Sequence, residues 1–379
     1  MTDRPARLVT LPEPMRRYAC NQQGCCCQGW RIPFKPHDLV RLGRYLPPEQ
    51  LGTDLDVRRA ISDTGDETVR DVSILDAEGR CRFLDADHKG CTVHATHGVE
   101  ALPDICVDFP VASYALGDGA EFFFDPVCPS VLDRLAESDD PLALVDVPPS
   151  PSDGGFSRRA AHARPTPVMR VGARLLGAEA FDRVRRTIVT SLQDGARTPV
   201  QHLHAIDAAY AEVARGDAFV LSYERDPRPY ARFFQQRLAE HGAGTLARVF
   251  ETYKRFLFSI PLDRKSGAWD EFQKHLRSWE PAMERWYTPT EQALHPMQRR
   301  YLAHRHAMPF LTLQGELHFA AGALVSMLAT ALRYAAAFGA VFRRPVDRNI
   351  LKAALGTSEY VYRSLEISPS SLPWFGISD

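Results

Sequence analysis

Tyr18-Ala19-Cys20-Asn21-Gln22-Gln23-Gly24-Cys25-Cys26-Cys27-Gln28-Gly29-Trp30 places four cysteines within thirteen residues. Four more follow singly: Cys81, Cys91, Cys106 and Cys128. The 251 residues after Cys128 contain none. Cysteines used as small core residues would scatter along the chain. Their confinement to its first third argues for one shared purpose in one unit.

Three uses compete for eight cysteines. A disulfide framework needs an oxidising compartment. The N-terminus, Met1-Thr2-Asp3-Arg4-Pro5, runs into Leu11-Pro12-Glu13-Pro14 without the 7–15-residue apolar core of a secretory signal. Three consecutive side chains also diverge, which suits pairing within one short loop poorly. Independent core or surface cysteines are the second use. The third is ligation, because thiolates are the soft ligands that suit zinc and iron–sulfur centres. Cys20-x4-Cys25-Cys26-Cys27 matches neither a zinc ribbon nor the common ferredoxin runs. Gly24 lets the loop wrap closely, and its backbone N–H groups would donate to sulfur. The candidate ligand set is therefore Cys20, Cys25, Cys26, Cys27, Cys81, Cys91, Cys106 and Cys128, enough for one or two four-thiolate sites.

In these segments the chain resembles the YkgJ-type cysteine-cluster family of zinc- or iron-chelating proteins, and most of all its flagellin lysine-N-methylase branch. Tyr18-Ala19-Cys20 and Cys26-Cys27-Gln28-Gly29-Trp30 are similar to that branch's opening segment. Cys81-Arg82-Phe83-Leu84, Cys91-Thr92-Val93-His94, Cys106-Val107-Asp108-Phe109-Pro110 and Cys128-Pro129 follow in the family's order. The resemblance implies a cysteine-liganded metal centre, either zinc or an iron–sulfur cluster of 4Fe–4S type. For the methylase branch it implies methyl transfer from S-adenosylmethionine to lysine side chains on a protein partner. The other classes kept open are a non-catalytic zinc or iron protein and an electron-transfer protein.

Outward from the cysteines, 379 residues with 45% apolar and 25% charged composition suit a soluble globular chain. The net charge is -1, but residues 1–150 carry -10 and residues 151–379 carry +9. No global basic surface points to nucleic acid. Phe319–Val341 is the most apolar stretch, yet Arg333 lies inside it and Gly322 and Gly339 interrupt it. It reads as a buried core helix rather than a membrane span. The expected location is the cytoplasm.

The expected architecture is α+β and mainly α: a loop-rich cysteine-cluster domain over 1–135, a linker over 136–168 and an all-α domain over 169–379. Val69–Leu75 and Glu121–Phe124 read as strands. His37–Leu46 and Leu55–Ile61 read as short helices. Helical spacing recurs in Met169–Leu192, in the stripe Leu246, Val249, Phe250, Tyr253 and Leu257, in Asp270–Met283, Gln292–His306 and Phe319–Val341, and in Val346–Ile367. Pro148-Pro149-Ser150-Pro151-Ser152-Asp153-Gly154-Gly155 marks the linker.

Several other residues have a plainer role beside a functional one. His94 and His97 offer imidazole ligands in Cys91-x2-His94-x2-His97. Arg305, between His304 and His306, reads as a solvated helix face rather than an anion site. Trp30 would shield a centre from water or simply pack in a core. Gly242-Ala243-Gly244 follows no expected strand, so a Rossmann-type cofactor loop is not indicated. There is no P-loop, G-x-S-x-G or H-E-x-x-H. The sequence names no catalytic base.

Overall fold

A computed structural model of the chain describes residues 9–18, 36–47, 81–85, 90–116, 119–138, 143–147, 164–165, 169–223, 267–307 and 317–364. The chain divides into two compact units. One comprises Met1–Tyr18, Ala112–Phe250 and Ser259–Asp379; the other comprises Ala19–Val111 and Glu251–Phe258. The division is thus not a single cut along the sequence. The described residues are a mixture of helix and sheet in which helix predominates.

A five-stranded sheet runs β4-β1-β3-β2-β5, with β1 at Val9–Pro12, β2 at Val111–Leu116, β3 at Gly119–Phe124, β4 at Leu144–Val147 and β5 at Arg164–Pro165. β1 pairs parallel to β3, Thr10 facing Glu121, and antiparallel to β4, Leu11 facing Val145. Ala120 through Phe124 are buried on both faces, as a central strand requires. Glu121 is the polar member of that run. Arg185, also buried, forms an ion pair with it and donates to the Ala307 carbonyl at 3.2 Å. A charge buried in this way needs such a partner.

The strand expected at Glu121–Phe124 is present. The strand expected at Val69–Leu75, the helix at Leu55–Ile61 and the stripe from Leu246 to Leu257 lie outside the described residues. Within the expected linker, β4 and β5 join the sheet.

The helix expected over Met169–Leu192 is corrected. Met169–Val171 (β6) and Arg174–Leu176 (β7) form an antiparallel hairpin, and the helix begins only at Ala178. Gly172, at φ 57, turns the hairpin in the left-handed region that glycine tolerates. The region 169–379 is therefore not purely helical.

The helices of the sheet-bearing unit, in chain order after the three short ones described below, are α4 (Pro129–Glu137), α5 (Ala178–Ser191), α6 (Pro199–Ala214), α7 (Ala268–Arg277), α8 (Trp279–Ala282), α9 (Glu291–His306), α10 (Leu317–Phe342) and α11 (Arg348–Ser364). α6 starts at a capping box: Thr198 Oγ1 accepts from Gln201 N at 3.2 Å, and Gln201 Oε1 accepts from Thr198 N at 2.8 Å. α10 packs against α6, α7 and α11 and is apolar nearly all round, the pattern of a central helix. By length and composition Ala323–Phe342 would cross a bilayer, but 76% of that stretch is buried within the fold. The last carbonyls of α4 are taken by Arg300 of α9, which donates to Leu135 O at 2.7 Å, and by Arg348 of α11, which donates to Ala136 O at 3.3 Å. These bonds satisfy acceptors that a helix end leaves open.

Candidate metal centre

Among the described residues, three expected ligands, Cys81, Cys91 and Cys106, lie in the Ala19–Val111 unit. Its helices are α1 (Pro36–Tyr45), α2 (Thr92–His97) and α3 (Asp104–Asp108). Cys81 opens a tight turn in which Leu84 N donates to Cys81 O at 3.0 Å. Leu84 bridges antiparallel to Cys91, and Thr92 donates both N–H and hydroxyl to Phe83 O, at 2.7 and 3.0 Å. Cys81 and Cys91 thereby stand on two short segments held edge to edge. Cys91 is the residue before α2, and Ala95 N donates to its carbonyl at 2.9 Å. Cys106 sits in the middle of α3, its own N–H donating to Pro103 O at 2.9 Å.

All three pack on one small apolar core, but their sulfurs do not form a group of three within 4.8 Å of one another. Cys81 is buried with Leu42, Leu46, Phe83, Val93, Ala101 and Leu102, while Cys91 and Cys106 pack on it half-buried beside Leu39 and Val107. Helix α1 supplies Leu39 and Leu42, and Leu46 follows directly after its last residue, all three at helical spacing. No extended sheet or long helix stabilises this core among the described residues. Such a small core is the setting in which a metal contributes to folding.

Cys128 belongs to the other unit. It is buried, precedes Pro129 at the start of α4, and its carbonyl accepts from Val131 and Leu132 N–H at 3.0 and 3.2 Å. The Tyr18 hydroxyl lies 3.7 Å from its Sγ, and the Tyr18 ring packs on Phe124 with centroids 5.2 Å apart. Cys20, Cys25, Cys26, Cys27, Trp30 and Gly242-Ala243-Gly244 lie outside the described residues.

His94 and His97 are half-buried on α2, and the His97 ring packs on Tyr45 at 5.7 Å. Among the described residues neither joins a group of three His, Cys, Asp or Glu ligand atoms within 4.8 Å; His37, Asp38 and Asp104 do. That trio is already engaged. His37 Nε2 lies 2.7 Å from Asp104 Oδ2, Arg41 Nη2 donates to Asp104 Oδ1 at 2.8 Å, and Asp38 Oδ1 accepts from Asp104 N at 2.9 Å. Burial alone would raise the Asp104 pKa. The hydrogen bonds from His37 and Arg41 outweigh it and hold the carboxyl below its ordinary range. The arrangement ties α1 to α3 and leaves these oxygens little to offer a cation.

The sequence reading of Arg305 as a solvated face is corrected. Arg305 is buried on α9, and its Nε lies 3.2 Å from Glu359 Oε1 of α11. Its neighbours are buried as well. His304 Nε2 lies 2.6 Å from the Phe124 carbonyl oxygen. Burial, with Arg305 adding to it, pushes His304 down to about 4 and His306 down to about 3, so both are neutral in the fold. The phase Leu294, Gln298, Tyr301, Arg305 puts Arg305 on the inward stripe of α9, a signal that the flanking histidines concealed.

Residues 19–129 match the CxxCxxCC family model, described as "Putative zinc- or iron-chelating domain". All eight cysteines fall inside the matched stretch. The match supports a metal-binding cysteine cluster and a metal cofactor in this part of the chain. No curated protein and no solved structure matches the chain. The donors fit such a group: soft thiols, three of them on one apolar core, with the nearby carboxylates already engaged.

Proposed function

We propose that thiolates drawn from the eight cysteines hold an iron–sulfur centre, with Cys81, Cys91 and Cys106 among its ligands. What supports this reading is that all three pack on one small core within a stretch that matches a metal-chelating family, although their sulfurs do not by themselves form a three-ligand group. An iron–sulfur centre supplies redox chemistry or an open coordination position for a small molecule. The further step, methyl transfer from S-adenosylmethionine to a protein lysine, rests on the resemblance of the cysteine segments to the flagellin lysine-N-methylase branch. In that reaction the lysine ammonium gives its proton to a base or to water, the free amine attacks the sulfonium methyl, and the N–C bond forms as the S–C bond breaks to release S-adenosylhomocysteine. The partner is then a protein carrying surface lysines, and reduced thiols suit the cytoplasm.

Anaerobic purification followed by metal and sulfide analysis and an absorption spectrum tests the centre. A brown sample with a broad charge-transfer band and matched iron and sulfide is expected. Transfer of a labelled methyl group from S-adenosylmethionine to lysine in a protein acceptor then tests the activity. A colourless, zinc-loaded protein overturns the iron–sulfur centre and leaves a structural zinc protein.

A further inference from the structure

Helix α3 begins badly by its own means. Pro103 occupies the position before it and makes no side-chain cap. A helix that starts on proline lacks the Ser, Thr, Asp or Asn oxygen that normally satisfies its first N–H groups. The missing acceptor comes from another helix. Asp38 of α1, its side chain 1% exposed, takes the Asp104 N–H at 2.9 Å. One turn further along α1, Arg41 donates to the Leu102 carbonyl at 2.7 Å and to the Asp104 carboxylate at 2.8 Å. The segment leading into Cys106 is thus gripped on both sides of Pro103, and Pro103 O in turn accepts from Cys106 N. The same helix lays Leu39 and Leu42 against the core on which Cys106 packs.

We infer that Asp38 and Arg41 are positioning residues for the Cys106 thiolate: they fix the start of α3 so that Cys106 is presented to the metal in one orientation. The inference rests on the reading of Cys106 as a ligand. Groups that orient ligands in this way set affinity without touching the metal. Neither residue stood out in the sequence, because each is an ordinary polar residue on an amphipathic helix.

The test is a titration of the reduced, metal-free full chain with Co2+, whose thiolate charge-transfer absorption reports both affinity and the number of bound thiolates. Arg41→Ala and Asp38→Ala are expected to weaken binding about 10- to 100-fold with unchanged circular dichroism. Asp38→Asn, which keeps the acceptor oxygen, is expected to restore most of the affinity. If Asp38→Ala fails to fold, Arg41→Ala and Asp38→Asn decide the matter. Parent-like affinity and spectrum in Arg41→Ala, while Cys106→Ser loses affinity, would overturn the positioning role and leave the ligand in place. Parent-like binding by Cys106→Ser itself would overturn the ligand reading, and the positioning role with it.

Discussion

Tyr301 donates its hydroxyl to Glu359 Oε1 across 2.5 Å, at a site where both residues are essentially shielded from water. Arg305, one turn along the same helix, meets the same oxygen. Glu359 therefore joins α9 to α11 through one carboxylate. Glu359→Ala leaves a buried guanidinium without its counter-charge and is expected to cost about 3–5 kcal/mol. Tyr301→Phe removes one charge-assisted hydrogen bond and is expected to cost about 1.5–3 kcal/mol. Urea unfolding of the two variants beside the parent checks both the order and the sizes.

His304 and His306 make the fold sensitive to mild acid. Their folded-state pKa values, about 4 and about 3, lie below the unfolded value of 6.5. Above that value both states are neutral and pH has no effect through these groups. Below it the unfolded chain takes up protons that the folded chain refuses, so stability falls by about 1.4 kcal/mol per pH unit for each histidine. The loss continues until each folded-state pKa is reached. Urea midpoints measured between neutral pH and about pH 5 should fall steeply, and less steeply in His306→Gln. An equal slope in that variant would contradict the assignment.

Thr198→Ala removes one half of the capping box at the start of α6. A loss of about 1 kcal/mol is expected. Thr198→Ser should retain most of it, and thermal melts of the pair provide the check.

Gly339 lies where α10 passes close to its neighbours. A methyl group there would meet Arg344 O and Trp286 Cβ at 3.0 Å and Val346 Cγ2 at 3.2 Å. Gly339→Ala ordinarily favours a helix. Here overpacking of about 1–3 kcal/mol is expected to win. A raised melting temperature in this variant would show that the contact relaxes without cost.

Removal of the metal is expected to affect the two units unequally. The core around Cys81, Cys91 and Cys106 is small, whereas the helices around α10 have an extensive apolar core of their own. Chelation under reducing conditions should expose residues 81–109 to protease and hydrogen exchange while most of the far-ultraviolet helical signal persists. A single cooperative collapse of the whole signal would refute the separation.

Where apolar residues run continuously or recur at helical spacing, the sequence was readable. Glu121–Phe124, His37–Leu46, Gln292–His306 and Phe319–Val341 each fall on an element of the expected type. Met169–Val171 misled because Val171 and Leu175 sit four apart, as on one helix face. Leu175 is in fact 68% exposed, and the alternation of buried Met169 and Val171 with exposed Arg170 is that of a strand. Arg305 misled because its charge outweighed its phase on α9. At the candidate centre the cysteine spacing announced soft ligands. It was silent about Asp38 and Arg41, whose role depends on contacts some sixty residues away in the chain.

The sheet carries a consequence for how the chain assembles. β1, at Val9–Pro12, pairs with β3 around Ala120 and Glu121, so the entire stretch between them is a loop that must close before that pairing forms. For about a hundred residues, closure entropy grows only with the logarithm of length, but the search it imposes slows folding. A cysteine segment that condenses first, around its own metal, shortens that loop before the strands meet. Metal supply during synthesis would then govern the rate at which the N-terminal strand finds its place, as well as the stability of the finished centre.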